Sequence, residues 1–100
     1  MRNYAYPNDV NIISGGAFSD LEHLIIAIIP ENVRVIRCWS FSRCSNLEKV
    51  IALNDAIEIE KFVFSNCDLA KLTICARPGS TAEQNALDNN IKTSYLTEYL

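Results

Sequence analysis

The sequence lacks a long hydrophobic run, a recognisable secretory leader and a large excess of either charge. Its longest apolar stretch, residues 24–30 (LIIAIIP), is too short to span a bilayer. Residues 1–11 lack the apolar segment and cleavage pattern of a secretory signal. We therefore expect a cytoplasmic protein without membrane contact, with export by a route that uses no such signal as the alternative. A net charge of −3 offers no broad basic surface, so we expect no nucleic-acid partner.

The sequence also has few groups from which a catalytic or metal site could be built. His23 is its single histidine, and a nucleophilic pair would have to join it to Cys38 or Cys75. Zinc sites usually contain closely spaced cysteine pairs, whereas Cys38 and Cys44 have five residues between them and no second pair follows. Gly15–Gly16 is too short for a phosphate-binding loop. We predict no enzyme activity, no cofactor and no metal, and leave open whether Cys38 or Cys75 is reactive.

The most informative feature that is present is a repeat of 23 residues. Apolar residues recur at this step in two series: Phe18, Phe41 and Phe64; Ile13, Ile36 and Ile59. Cys44 and Cys67 are also 23 residues apart, so we expect both to be small buried core residues. One unit cannot bury its apolar face alone, and stacked units can. The chain is therefore predicted to be one domain with repeats at about 8–30, 31–53 and 54–76.

Each repeat contains a stretch with the spacing L-x-x-Φ-x-Φ, where Φ is apolar, and this spacing predicts a strand. The three stretches are residues 24–29, 47–52 and 69–74, and they should stack as a parallel sheet. The inward residues would be Leu24, Ala27, Ile29, Leu47, Val50, Ala52, Leu69, Leu72 and Ile74. A second short strand and one tight helical turn are expected ahead of each of them.

The repeats resemble those of the BspA-like leucine-rich repeat family, whose units run V-x-x-I-x-x-x-A-F-x-x-C-x-x-L-x-x-Φ. The second unit fits this pattern at Val33, Ile36, Ser40, Phe41, Cys44, Leu47 and Val50. The first unit departs from it, with Leu21 in place of the cysteine. The resemblance implies an α/β solenoid with a parallel sheet on one face. It also implies a protein-binding role.

Residues 77–100 are predicted to form a C-terminal helical cap. Pro78 and Gly79 end the third strand, and Ser80 with Glu83 has the spacing of a capping box at a helix start. Ala82, Ala86 and Leu87 would lie on one face of this helix. A solenoid needs such a cap because its last repeat would otherwise be open to water.

The predicted outer face of the sheet is the candidate interaction surface. The residues that we expect to bind a partner are Ile25, Ile26, Ile28, Glu48, Lys49, Ile51, Lys71 and Thr73. The isoleucines would form an exposed apolar patch, which usually marks an interface. The first strand would be the sheet edge, unless the residues around Tyr4 to Pro7 cover it.

We therefore predict a non-enzymatic protein-protein interaction module, whose partner could be a second copy of the chain in a homo-oligomer. The alternatives are a small self-associating structural protein and a translocated effector or inhibitor. A cysteine-dependent enzyme is the least favoured alternative.

Overall fold

The computed structural model describes the backbone of residues 3–5 and the whole of residues 11–95. These residues form β1 (Asn3–Ala5), β2 (Ile12–Ile13), β3 (Ile26–Ile29), β4 (Val35–Ile36), β5 (Lys49–Ala52), β6 (Glu58–Ile59), β7 (Thr73–Cys75), α1 (Thr81–Asp88) and β8 (Lys92–Ser94). None of the described helical residues belongs to a helix long and apolar enough to cross a membrane.

A wide parallel sheet forms one side of the molecule. Its strands lie in the order β1-β3-β5-β7-β8. Ile26 of β3 pairs with Lys49 of β5, which in turn pairs with Thr73 of β7. Each strand therefore adds about one repeat of chain, and the backbone winds as a solenoid. This arrangement confirms the predicted fold, a repeat solenoid with a parallel sheet on one face and a helix near the C-terminus.

A narrow parallel sheet of β2, β4 and β6 runs through the same turns of the solenoid. Ile13 pairs with Ile36, which pairs with Ile59, so the 23-residue step is retained. Buried residues of both sheets, such as Ile36 and Val50, belong to one apolar cluster. The two sheets therefore enclose a common core. The predicted helical turns between them are present as tight turns, and α1 is the one helix among the described residues.

The centre of the core is a stack of three phenylalanine rings, one from each repeat. The Phe18 and Phe41 ring centroids are 5.8 Å apart, and those of Phe41 and Phe64 are 6.0 Å apart. The rings are inclined by no more than 20° to their neighbours. Phe41 is fully buried, whereas Phe18, at the start of the stack, is partly buried. This stack fixes the register of the three repeats.

The turns that carry this stack depend on left-handed backbone conformations at two repeated positions. Gly16, Trp39 and Phe62 share the first position and have φ between 64° and 69°. The second position is occupied by Asp20, Arg43 and Asn66, with φ of 60–62°. Residues other than glycine pay about 1–2 kcal/mol for this conformation. The tight winding of the repeat is therefore maintained at some cost wherever glycine is absent.

Helix α1 closes the C-terminal end of the solenoid. The Ser80 side chain accepts a hydrogen bond from the Glu83 backbone N–H at 3.2 Å, as the predicted capping box requires. The Glu83 carboxylate accepts from the Gly79 N–H at 2.9 Å. Ala82 and Ala86 are fully buried against the core, but Leu87 is exposed, so its predicted place on the buried face was wrong. Beyond the helix, the same segment contributes β8, which was not predicted.

The third repeat is one residue longer than predicted ahead of its strand. The Asp68 carboxylate accepts a hydrogen bond from the Ala70 N–H at 3.1 Å, and this turn places Leu69 at its tip. Leu69 is consequently 39% exposed, and its predicted inward position was wrong. Leu72 and Ile74 are fully buried as predicted. The extra residue shifts the register so that Ile74, rather than Leu72, pairs with Val50.

Candidate functional site

The outer face of the wide sheet carries most of the side chains predicted to bind a partner. Ile26, Lys49 and Thr73 lie side by side on three adjacent strands, and all three are half-buried. In the next row Ile28 pairs with Ile51, as predicted. The sheet therefore presents these residues as a compact group.

The apolar part of this face is less exposed than the sequence indicated. Ile51 is 6% exposed and packs against fully buried Cys75, which lies next to it on β7. Ile28 is half-buried against the same pair, as is Leu53. The expectation that Ile51 is exposed was therefore wrong. The reason is that Cys75 takes the neighbouring outward position, which the shifted register of the third repeat had concealed.

The remaining predicted residues lie around this group. Ile25 is half-buried one residue before β3, and Glu48 is exposed one residue before β5. Lys71 is exposed, and its ammonium donates a hydrogen bond to the Asn46 side-chain oxygen at 3.3 Å. These three residues form a mixed polar and apolar border at the start of the strands.

The first predicted strand is not an open edge. Residues Asn3–Ala5 form β1 and pair with Ile26, Ala27 and Ile28 of β3. The prediction that the edge of β3 is unpaired was therefore wrong, because the N-terminal residues supply the neighbouring strand. Pairing of this kind removes the row of free backbone groups that an edge presents to other chains. The predicted contribution of Tyr6 and Pro7 lies outside the described residues.

Two aromatic side chains at the turns were not singled out by the sequence analysis. Trp39 is 45% exposed and Phe62 is 60% exposed. Their rings are stacked with centroids 5.1 Å apart and planes inclined by 18°. We call this pair the aromatic ledge. The 23-residue spacing of these two residues could have revealed it.

The repeated cysteines act as hydrogen-bond donors between repeats. The Cys44 thiol donates to the Phe18 carbonyl at 3.1 Å, and the Cys67 thiol donates to the Phe41 carbonyl at 3.0 Å. Burial raises the pKa of the Cys67 thiol to about 11 and also raises the pKa of Cys44. Both side chains therefore remain protonated at neutral pH, where a thiolate would be the nucleophile. They are structural residues.

The geometry of the alternative cysteine site is unfavourable. His23 is exposed and lies three residues before Ile26, whereas Cys75 lies two residues after Thr73, the residue aligned with Ile26. This offset of five residues separates the two by about 16 Å along the strand direction. Cys38 is half-buried on the turn side, where its backbone N–H donates to the Glu60 carboxylate at 2.9 Å. The structure therefore does not bring His23 to Cys75.

Charged groups at the turns are paired across repeats. Arg37 lies 3.6 Å from the Glu60 carboxylate, and Arg43 lies 3.7 Å from the Asp20 carboxylate. Among residues 11–95, no group of three His, Cys, Asp or Glu side chains is arranged to hold a metal ion.

Comparison with known proteins identifies the repeat type. A family model for the BspA type leucine-rich repeat region, six copies long, matches residues 1–94. The chain belongs to this family. Leucine-rich repeat solenoids are typically interaction modules rather than enzymes. Searches of curated proteins and of solved structures gave no match.

Proposed function

We propose that this leucine-rich repeat chain is a non-enzymatic module that binds another protein through the outer face of its wide sheet. The observation that carries the proposal is the row of Ile26, Lys49 and Thr73 on adjacent strands, with Ile28 in the next row. A solenoid supports such a role because its stacked strands hold neighbouring side chains on one continuous surface.

The chemistry of this face suits a protein partner. Ile26 and Ile28 present half-buried apolar surface, while Lys49, Thr73 and exposed Glu48 lie beside them. Protein interfaces commonly combine an apolar centre with a polar rim. The two isoleucines would supply buried area, and the polar side chains would orient the partner.

Affinity capture from the native lysate, followed by quantitative mass spectrometry, tests the proposal. We expect Ile28→Glu and Lys49→Glu each to reduce recovery of a partner at least about tenfold, because each places a carboxylate in the interface. Ile12→Glu is the matched control, since Ile12 is 42% exposed on the narrow sheet. Circular dichroism establishes that all three variants are folded.

The same samples distinguish a partner protein from self-association. If the partner is a second copy, light scattering will give a dimer mass for the wild type and a monomer mass for Lys49→Glu. Equal recovery and unchanged mass in Ile28→Glu, Lys49→Glu and Ile12→Glu, all folded, would exclude this face as the binding surface.

A further inference from the structure

The aromatic ledge of Trp39 and Phe62 occupies a turn position that favours a different residue type. Both residues have left-handed φ, at 66° and 64°, and the equivalent residue of the first repeat is Gly16. Glycine or asparagine adopts this conformation at lower steric cost than an aromatic residue. Both rings are also largely exposed, so they contribute less to the core than the phenylalanine stack does. The requirements of the turn therefore do not account for the two rings.

Phe62 forms part of the wall of a cavity between the third repeat and α1. The cavity has a volume of about 480 Å³, within the usual range for ligand pockets. Val63, Leu69 and Ile91 supply apolar lining, and Asn85 lines it from the helix. Because one face of the Phe62 ring stacks on Trp39, a planar group in the cavity could stack on the other face.

The polar groups of this cavity indicate what such a ligand would carry. The Glu60 carboxylate is already engaged by the Cys38 N–H and by Arg37. Lys61 also lines the cavity and takes part in no ion pair among residues 11–95. The uncompensated charge at the cavity is therefore positive, and it complements a carboxylate. The Asn85 side-chain amide can donate to or accept from a hydroxyl group.

We propose that this cavity receives a tyrosine side chain from an extended segment of a partner protein, flanked by acidic residues. The tyrosine ring stacks on Phe62, its hydroxyl bonds to the Asn85 amide, and a neighbouring carboxylate lies near Lys61. This inference rests on the proposed protein-binding function but uses a different surface, at the turns and the helical cap. It adds a sequence preference to the contacts that the sheet would make.

NMR titration with defined peptides tests the inference. The probe is acetyl-Glu-Tyr-Glu-amide, and the controls replace its tyrosine by leucine or its glutamates by lysines. We expect saturable shifts at the Asn85 side-chain amide and the Ile91 methyl groups. The leucine peptide should bind about tenfold more weakly because the ring stacking is lost, and the lysine peptide should also bind more weakly.

Two variants assign the binding to the named side chains. Phe62→Asn, which suits the left-handed turn and removes an exposed ring, should weaken binding of the glutamate peptide about tenfold. Lys61→Ala should reduce the preference for glutamate over lysine while leaving the preference for tyrosine. The absence of saturable shifts, equal binding of the leucine peptide, or unchanged binding to folded Phe62→Asn would overturn the inference.

The sheet variant separates this result from the proposed function. Ile28→Glu should bind the glutamate peptide like the wild type, because Ile28 lies on the wide sheet. If the peptide fails while Ile28→Glu still loses its partner, the cavity inference fails and the sheet proposal stands. If the peptide binds as expected while Ile28→Glu retains its partner, the sheet proposal alone fails.

Discussion

Replacing Phe41 by alanine removes the central ring of the phenylalanine stack. Phe41 is fully buried and its ring lies between those of Phe18 and Phe64, at centroid distances of 5.8 and 6.0 Å. Truncation of a buried phenylalanine typically costs about 3–5 kcal/mol through lost burial and the cavity that remains. Because two ring contacts are lost at once, we expect about 4–5 kcal/mol here. A domain of this size has about 5–15 kcal/mol of stability in total.

Urea unfolding followed by circular dichroism measures this loss. The stack predicts an order of effects as well as a magnitude, because Phe64 is 9% exposed and Phe18 is only partly buried. Phe41→Ala should therefore cost most, Phe64→Ala less and Phe18→Ala least. Phe62→Ala is the matched control from the same turn and should cost about 1 kcal/mol or less, because its ring is mainly exposed.

The reasoning would be refuted by a Phe41→Ala variant that unfolds within about 1 kcal/mol of the wild type. It would also be refuted if Phe62→Ala were as destabilising as Phe41→Ala, since the buried and exposed faces of the turn would then have been exchanged.

The remaining predictions concern the thiols and the helix cap. Because the pKa of Cys67 is raised from 9.0 to about 11 on folding, its thiol favours the folded state below pH 9, and this contribution is lost as pH rises towards 11. Denaturant titrations should show a smaller stability loss between pH 8 and 11 for Cys67→Ala than for the wild type; parallel curves would contradict this assignment. In native-state labelling with a maleimide, half-buried Cys38 should react well before fully buried Cys75; faster labelling of Cys75 would show that its environment is open. Ser80→Ala should lower the free energy of unfolding by about 1 kcal/mol and Ser80→Asp by less, because aspartate retains a cap acceptor; equal losses in denaturant unfolding would argue against the cap.

The sequence was sufficient for the repeat and for most of the core. Phe41, Val50 and Leu47 were placed inside by their spacing alone, and all three are buried. The spacing is informative because each repeat must place the same side chains against the repeat before it. The helix start at Ser80 was also predictable, since capping depends on neighbouring residues.

Features that depend on an inserted residue or on distant pairing were not predictable in the same way. The additional residue near Asp68 shifted β7 and hid the place of Cys75 beside Ile51. Strands β1 and β8 are three residues each and are defined by pairing with β3 and β7, so their sequences carry little strand signal of their own. The cavity beside Phe62 is formed by segments separated along the chain, and no local pattern marks it.

Site-specific photocrosslinking tests the central claim, partner binding by the wide sheet, most directly. The photoreactive residue p-benzoylphenylalanine replaces Lys49 on the wide sheet or, as a control, exposed Glu58 on the narrow sheet. The account predicts that light in the native lysate joins a discrete protein to position 49 and not to position 58. No crosslinked protein at position 49, or the same protein at equal yield from both positions, would contradict it.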